Sequence, residues 1–295
     1  MQTLAAIDRV FPTEDACKEY IAAKRWPKGV RCPRCGKSEM VYKLAMPWKW
    51  ECSNKECRKG HAYRFSIISG TIFENTKYPL RTWFEVVWQM LNSKKGVSAL
   101  QIQRQIGCAS YQTAWYMCHR LRAAMHDPDF KQLMGIVEVD ETYIGGKNAN
   151  RPLSKRFNLK GRGAVGKIAV IGAISRKGNL TCQIIEVTST ATMSRFVRQM
   201  VSEKVDLVAT DEGAGYQKLY QAFPHKTVDH KALEYVRGEV HTNNIESFWS
   251  LLKRGVIGTY HNVSKKYLPL YLAEFQFRHN NRKNPDIFGE AIAGA

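Results

Sequence analysis

Long apolar runs are missing from this 295-residue sequence. No window approaches the roughly 18 uncharged apolar residues that a membrane-spanning helix needs, so we expect no membrane partner. Residues 1–10 lack the basic start and apolar stretch of a secretory signal. Internal repeats and low-complexity tracts are also absent, which argues against a repeat protein and against a compositionally biased tail.

Acidic residues are scarce relative to basic ones: 26 Asp and Glu face 45 Lys and Arg, for a formal net charge of +19. A surplus of this size predicts a polyanionic partner, usually nucleic acid. A merely basic surface is the alternative, but the cations cluster in residues 31–59 and 147–167, which favours nucleic acid. The hydrophobic share of 44% excludes wholesale disorder, and the length allows about two domains.

The eight cysteines do not form the dense framework of a small secreted protein. Four cluster in the first sixty residues and four are scattered. This distribution is typical of a reducing compartment with one metal site. We therefore expect a cytoplasmic protein that associates with the nucleoid.

The clustered cysteines have the spacing of a zinc site. They are Cys32, Cys35, Cys52 and Cys57. Each pair can form a sharp turn that supplies two thiolates to tetrahedral Zn²⁺. Because the second pair has the looser spacing, His61 is a possible substitute ligand. We predict a zinc ribbon over residues 10–65, which contacts either DNA or a protein partner.

Residues 78–127 have a helical pattern that predicts a helix-turn-helix region. A short helix from Val97 is followed by a turn containing Gly107 and by a longer helix capped by Ser110. The predicted core face of the longer helix consists of Ala114, Met117, Cys118 and Leu121. The predicted outer face, suited to bases and phosphates, consists of Gln112, Thr113, Trp115, Tyr116, His119, Arg120 and Arg122. Generic helical packing is the alternative.

Three acidic residues lie on separate predicted elements. Asp140 interrupts an apolar, β-branched strand bounded by Gly135 and Gly145, where a carboxylate is costly unless it is paired or binds metal. A second apolar strand ends at Asp211, and a helical pattern beginning near His241 carries Glu246. These acids predict a carboxylate cluster for a divalent cation.

The remaining pattern completes an α/β design with helices covering a mixed sheet. Strands are predicted at 168–174 and 181–187, a helix at 193–201 and a short strand around 227–229. The hydrophilic segment 147–167 has seven basic residues and no acidic one. We expect this segment to follow DNA phosphates, with a solvated loop as the alternative.

Together the motifs resemble an insertion-sequence transposase of the IS1595 (ISXO2-like) family. They are the zinc ribbon and residues 137–147, 210–213, 241–255 and 258–264, and the likeness extends over residues 10–284. The resemblance implies a ribonuclease-H-like catalytic domain of the DDE type at residues 132–284. It also implies that Asp140, Asp211 and Glu246 are the catalytic acids and bind Mg²⁺ or Mn²⁺.

The third acid has alternatives, because some family members use asparagine there and Asn243 and Asn244 lie nearby. Glu246 is preferred because Lys253 follows seven residues later, which matches the acid-to-lysine spacing of the family. Seven residues are two helical turns, so both side chains share a face. For Lys253, a solvated surface lysine is the alternative to a DNA contact.

The resemblance implies cleavage at the transposon ends and joining to target DNA by two-metal-ion phosphoryl transfer. The partners implied are double-stranded DNA, both terminal inverted repeats and target, and at least a homodimer on that DNA. His241, Trp249 and His261 are candidates for DNA contacts or for packing. Two alternatives remain: an inactive or domesticated DNA-binding protein, and a nuclease that only hydrolyses.

Overall fold

The structure is a computed structural model that describes residues 4–127, 130–146, 150, 152–156, 165–176, 178–211, 214–216, 219–228 and 240–294. It forms two compact units. The first extends to His126 and includes the residues from Asn284 onward, and the second spans Asp127–Lys283. None of the described helices is both long and apolar enough to cross a membrane.

The first unit begins with two helices and a small antiparallel sheet. The helices are α1 (Leu4–Val10) and α2 (Glu14–Arg25), and the strands are β1 (Val41–Lys43), β2 (Lys49–Cys52) and β3 (Tyr63–Ser66), in the order β1-β2-β3. Trp50 and Phe65 stack with ring centroids 6.0 Å apart, and Trp26 meets the Trp50 ring edge-on at 5.2 Å. This aromatic cluster is the core of the ribbon.

Three further helices complete the middle of the first unit. They are α3 (Leu80–Asn92), α4 (Ala99–Ile106) and α5 (Tyr111–Ala124). The Ser98 hydroxyl caps α4 by accepting the Gln101 N–H at 3.1 Å, and Gly107 ends α4 with a left-handed φ of 66°. That conformation favours glycine and turns the chain into α5. Helix, turn and helix follow each other as predicted.

The second unit is a five-stranded mixed sheet covered by helices. Its strands are β4 (Ile136–Ile144), β5 (Ile168–Ser175), β6 (Leu180–Ile185), β7 (Leu207–Asp211) and β8 (His225–Val228), in the order β6-β5-β4-β7-β8. Strands β4, β5 and β6 are antiparallel, whereas β7 and β8 run parallel to β4. The helices are α6 (Leu153–Arg156), α7 (Thr190–Met200), α8 (Asn243–Gly255) and α9 (Leu268–Asn280). This arrangement is consistent with the ribonuclease-H-like fold predicted from the sequence.

The two faces of this sheet have different partners because successive strand residues alternate in direction. Val137 and Val139 of β4 pack with Phe196 of α7 in one buried cluster. Ile144, an even-numbered residue of the same strand, packs with Ile245 of α8 on the other face. Even-numbered positions of β4 therefore face α8, and these include Glu138 and Asp140.

The last helix, α10 (Ile287–Ala293), returns to the first unit. Phe288 stacks with Phe11 at 5.9 Å and meets Phe84 of α3 edge-on at 5.4 Å. Asp286 caps α10 by accepting the Gly289 N–H at 3.1 Å, and its carboxylate also pairs with Lys24. This long-range return was not predicted from the sequence.

Candidate active site and zinc centre

Four cysteine sulfurs converge in the ribbon. Those of Cys32, Cys35, Cys52 and Cys57 all lie within 4.8 Å of one another. The Cys32–Cys57 and Cys35–Cys52 Sγ–Sγ distances are 3.7 and 3.8 Å. A tetrahedral zinc ion with Zn–S bonds of about 2.3 Å sets its sulfurs about 3.8 Å apart. The thiols fit Zn²⁺, and the exposed His61 is not needed as a ligand.

The longer helix of the helix-turn-helix differs from the prediction at two positions. Its core face is buried as expected, but His119 and Arg122 are also buried, with 6% and 2% of their surface exposed. The reason is that α5 contacts α3, α4 and α10, so it is covered on more sides than an isolated motif would be. Gln112 and Tyr116 stay exposed at the beginning of the helix.

Asp140 and Asp211 lie side by side on neighbouring parallel strands. The registered pairs between β4 and β7 end with Val139 and Thr210, and the two aspartates are the next residue on each strand. Residues in register share a face of the sheet, so both carboxylates lie on the face that α8 covers. Seventy residues lie between these acids in the sequence, and the topology brings them together.

Glu246 approaches this face from the first turn of α8. Its side chain is exposed, whereas Ile245, Phe248 and Leu252 of the same helix are buried, as predicted. The hydroxyl of Thr242, a residue that is only 1% exposed, donates a 2.8 Å hydrogen bond to Glu246 Oε1. This contact fixes the orientation of the carboxylate.

Burial and neighbouring acids perturb Asp140. Burial raises the pKa of Asp140 to about 7, with further contributions from the charges of Glu141 and Glu246. Asp140, Glu141 and Asp211 in turn help to raise the pKa of the buried Tyr216 hydroxyl, after burial itself. A divalent cation would offset this accumulated negative charge, and carboxylate oxygens are the ligands that Mg²⁺ prefers.

The carboxylate oxygens do not converge on one point as the four cysteine sulfurs do. Across the described ranges, the cysteines form the one group whose ligand atoms gather closely enough to hold a metal. Asp140 instead accepts a 3.0 Å hydrogen bond from the indole N–H of Trp249. Asp140 and Glu246 are therefore oriented by different neighbours, Trp249 and Thr242.

Trp249 is buried rather than available to DNA, with 4% of its surface exposed. It lies over Gly172, the residue of β5 that is in register with Asp140. A Cβ at Gly172 would come within 2.7 Å of the indole ring. The absent side chain thus makes room for the indole, whose N–H reaches Asp140.

Glu138 forms a contact network that the sequence analysis missed. Its carboxylate is fully buried and accepts the backbone N–H groups of Asn244 and Ile245, at 2.8 and 3.2 Å, in the first turn of α8. Arg176 Nε donates to it at 3.0 Å, and His241 Nδ1 lies 3.1 Å away but is not aligned for a hydrogen bond. Glu138 thereby joins the Asp140 strand to the Glu246 helix.

A signal for Glu138 was present in the sequence. A carboxylate at a buried strand position, two residues before Asp140, must share its face and must be paired. Its partners could not be named, because Arg176 and Asn244 are distant in the chain.

The predicted cationic residues have different outcomes. Lys253 is exposed in the last turn of α8, two turns beyond Glu246. Most of the basic segment 147–167 lies outside the described residues, so its predicted contact with phosphates stays a prediction. His241 is half-buried beside Glu138, and His261 is exposed.

Two family profiles match this chain, one in each unit. Residues 132–280 match the profile of the ISXO2-like transposase domain of IS1595, and residues 12–60 match that of a transposase zinc-ribbon domain. The chain is also 29% identical over 293 residues to a Halobacterium salinarum protein described as an uncharacterized protein in transposable element ISH50. That match covers 94% of each chain.

Proposed function

Since the chain belongs to the IS1595 (ISXO2-like) transposase family, we propose that it cuts DNA at the ends of its insertion sequence and joins them to target DNA. Asp140, Asp211 and Glu246 are the proposed catalytic acids and ligands for Mg²⁺ or Mn²⁺. The observation that carries this proposal is the placement of Asp140 and Asp211 in adjacent parallel register, on the face covered by the helix that bears Glu246.

The roles of the chain's own groups follow from their contacts. When bound, the two ions would activate the attacking oxygen and stabilise the leaving oxygen. Trp249 holds one oxygen of Asp140 through its N–H, and Thr242 holds one oxygen of Glu246 through its hydroxyl. Lys253 is proposed to offset the charge of a DNA phosphate from the exposed end of α8.

The contacts of Asn244 favour Glu246 as the third acid. The Asn244 side-chain amide donates to Glu138 at 2.6 Å, so it is already used to join the helix to the strand. Glu246 is exposed, carries charge and contributes to the raised pKa of Asp140. Asn243, which is also exposed, is the position to compare in an experiment.

DNA recognition is assigned to the first unit. The zinc ribbon (10–65) and the helix-turn-helix region (78–127) are proposed to bind the inverted repeats, and the domain at 132–284 to perform the chemistry. Gln112 and Tyr116 are the exposed candidates on α5 for contacts with bases. Because two ends must be cut together, we expect a homodimer or a larger assembly on DNA.

The test is a cleavage and strand-transfer assay on labelled duplex DNA that carries the element's ends, with Mg²⁺. Wild type is compared with Asp211→Ala, Glu246→Gln and Asn243→Ala. Asp206→Ala is the matched control, because Asp206 is an exposed aspartate just before the same strand. We expect cleavage and joining by wild type, Asn243→Ala and Asp206→Ala, and neither by the other two variants.

Other outcomes would select the alternatives. Salt-sensitive DNA binding without cleavage by any protein would favour a DNA-binding protein that has lost catalysis. Cleavage without joined products would favour a nuclease. Loss of activity in Asn243→Ala together with activity in Glu246→Gln would move the third ligand to the asparagine.

A further inference from the structure

The segment that follows α8 has an unusual backbone. Val256–Tyr260 is a π-helical turn continuous with the helix. His261 then has a φ of 59° and a ψ of −46°, while the Asn262 N–H donates to the Tyr260 carbonyl at 2.6 Å. This is a γ-turn with positive φ, a rare and strained conformation. Both features are concentrated at functional sites in proteins.

The turn is anchored by contacts of Tyr260 with α9. The Tyr260 hydroxyl lies 3.2 and 3.3 Å from the two carboxylate oxygens of Glu274, which is fully buried in α9. Tyr260 also packs edge-on against Tyr271 at 4.6 Å. The unusual conformation is therefore held by contacts with the core, and a partner would meet a preformed surface.

Gly258 has no explanation within the described part of the chain. A Cβ at this position would meet nothing within 4 Å, and its φ is not in the left-handed region. Glycine in helical backbone is destabilising relative to alanine because it has more conformational freedom to lose. A glycine that neither packing nor backbone geometry requires suggests that something outside the chain approaches the backbone closely.

The neighbouring side chains indicate what approaches. Ile257 lies within the turn and is 69% exposed, which is unusual for a large aliphatic residue in an anchored segment. The exposed cations near it in the sequence are Lys253, Arg254, Lys265 and Lys266, of which Lys265 pairs with Glu186 at 3.7 Å, and His261 is exposed as well. The sequence has no acidic residue between Glu246 and Glu274. A surface of this charge is complementary to a polyanion.

We infer that the Val256–Tyr260 turn, at the opposite end of α8 from Glu246, is a docking surface for double-stranded DNA. Gly258 lets the DNA backbone approach the turn, Ile257 makes apolar contact with sugars or bases, and the surrounding cations contact phosphates. Exposed aliphatic side chains are used in this way by proteins that contact base steps. The inference rests on the proposed function, because the turn would bind the DNA on which the proposed reaction acts.

The test separates fold stability from DNA binding. Gly258→Ala and Gly258→Gln are compared with wild type in thermal unfolding and in fluorescence anisotropy with a labelled duplex that carries the element's end. Binding is measured without divalent metal, so that it does not depend on cleavage. We expect unfolding temperatures equal to or above that of wild type, and affinity at least about fivefold weaker, since an added group displaces a close contact.

Ile257→Ala tests the apolar contact, with Val187→Ala as its matched control. Both residues are exposed aliphatics of the second unit, 69% and 63% exposed respectively. We expect weaker binding for Ile257→Ala and unchanged binding for Val187→Ala.

The inference is overturned if the Gly258 variants bind as tightly as wild type, or if they unfold at clearly lower temperature and so reveal a structural need for glycine. Equal DNA binding by Ile257→Ala and Val187→Ala would refute the proposed apolar contact between Ile257 and DNA. Failure of the proposed function looks different: wild type would then bind DNA without cutting it, while the differences among these variants would persist.

Discussion

The two proposed metal centres of this protein are built in opposite ways. In the ribbon, four thiols lie within 4.8 Å of one another, around one point. In the α/β unit, Asp140, Asp211 and Glu246 lie on two strands and a helix, and Asp140 and Glu246 are oriented by different neighbours. The first arrangement is that of a closed structural site, and the second leaves access for a substrate.

The difference has an energetic meaning. Binding of structural zinc is coupled to folding, so the thiols stabilise the ribbon once zinc is bound. Ionisation of Asp140 without a cation instead costs stability, because burial and the nearby charges of Glu141 and Glu246 raise its pKa to about 7. The fold tolerates this cost because Glu138 and Trp249 hold strand and helix together. The comparison predicts that removing ligands has opposite effects on stability at the two centres.

The largest effect is expected from Cys32→Ala. Binding of structural zinc contributes roughly 10–16 kcal/mol in small zinc domains, so its loss should unfold β1, β2 and β3. The measurement is zinc content together with hydrogen exchange of the ribbon strands and of β4 to β7, which should stay protected. Cys108→Ala is the control, since Cys108 is a buried cysteine outside the cluster. Full zinc occupancy in Cys32→Ala would contradict the prediction.

Glu138→Ala should be the most damaging change near the acids. It removes the partner of Arg176 and leaves two N–H groups of α8 without their acceptor. Breaking a buried ion pair by removing one partner costs about 3–5 kcal/mol. Urea unfolding measures the change in the free energy of unfolding. Glu138→Gln keeps one acceptor oxygen, so its stability should lie between those of Glu138→Ala and wild type. A variant as stable as wild type would show that α8 does not depend on this contact.

Asp140→Asn should change stability in the opposite direction. Because the pKa of Asp140 is raised from 3.8 to about 7 in the folded protein, its ionisation opposes folding. This cost is absent below the unfolded pKa, grows as the pH rises through the interval between the two values, and is complete above pH 7. Without metal at pH 8, Asn should therefore stabilise the protein by roughly 2–4 kcal/mol.

Urea unfolding in a chelating buffer at pH 5 and pH 8 measures this effect, which should be much smaller at pH 5. Addition of Mg²⁺ should stabilise wild type and not Asp140→Asn. A variant that is less stable than wild type at pH 8 without metal would show that the carboxylate contributes to the fold.

The smallest effect is expected from Gly172→Ala. The added methyl group would press on the Trp249 ring, and overpacking of this kind costs about 1–3 kcal/mol. Trp249→Phe removes the ring atoms that it meets, so the double variant should lose less stability than the sum of the single variants. Unfolding of all four proteins completes the cycle. Additive losses would show that the two residues do not interact.

Local patterns were enough to predict much of this molecule. The cysteine spacing is encoded within residues 32–57, and the apolar strand around Asp140 and the strand that ends at Asp211 are each encoded within about ten residues. The helical spacing of the apolar residues Ile245, Phe248 and Leu252 predicts a helix with one buried face, and the structure has that same buried face. The element ends differ by one to three residues, for example Thr190–Met200 instead of 193–201.

Long-range contacts could not be predicted in the same way. His119 and Arg122 are polar, so the sequence predicts that they are exposed. They are buried because α3, α4 and α10 cover α5. Glu138 finds Arg176 and Asn244 through the sheet and the helix, and Gly172 is explained only when Trp249 is placed above it. In each case the residue is explained by a partner that is distant in the chain, and the sequence around the residue does not indicate that partner.

The return of α10 to the first unit also determines when that unit can be completed during synthesis. Phe288 supplies part of the aromatic core around Phe11 and Phe84, yet the ribosome makes it after the entire α/β unit. At about 5–20 residues per second, roughly 10–40 seconds pass between the synthesis of Phe84 and that of Phe288. The α/β unit is therefore synthesised in full before the first unit has its complete core.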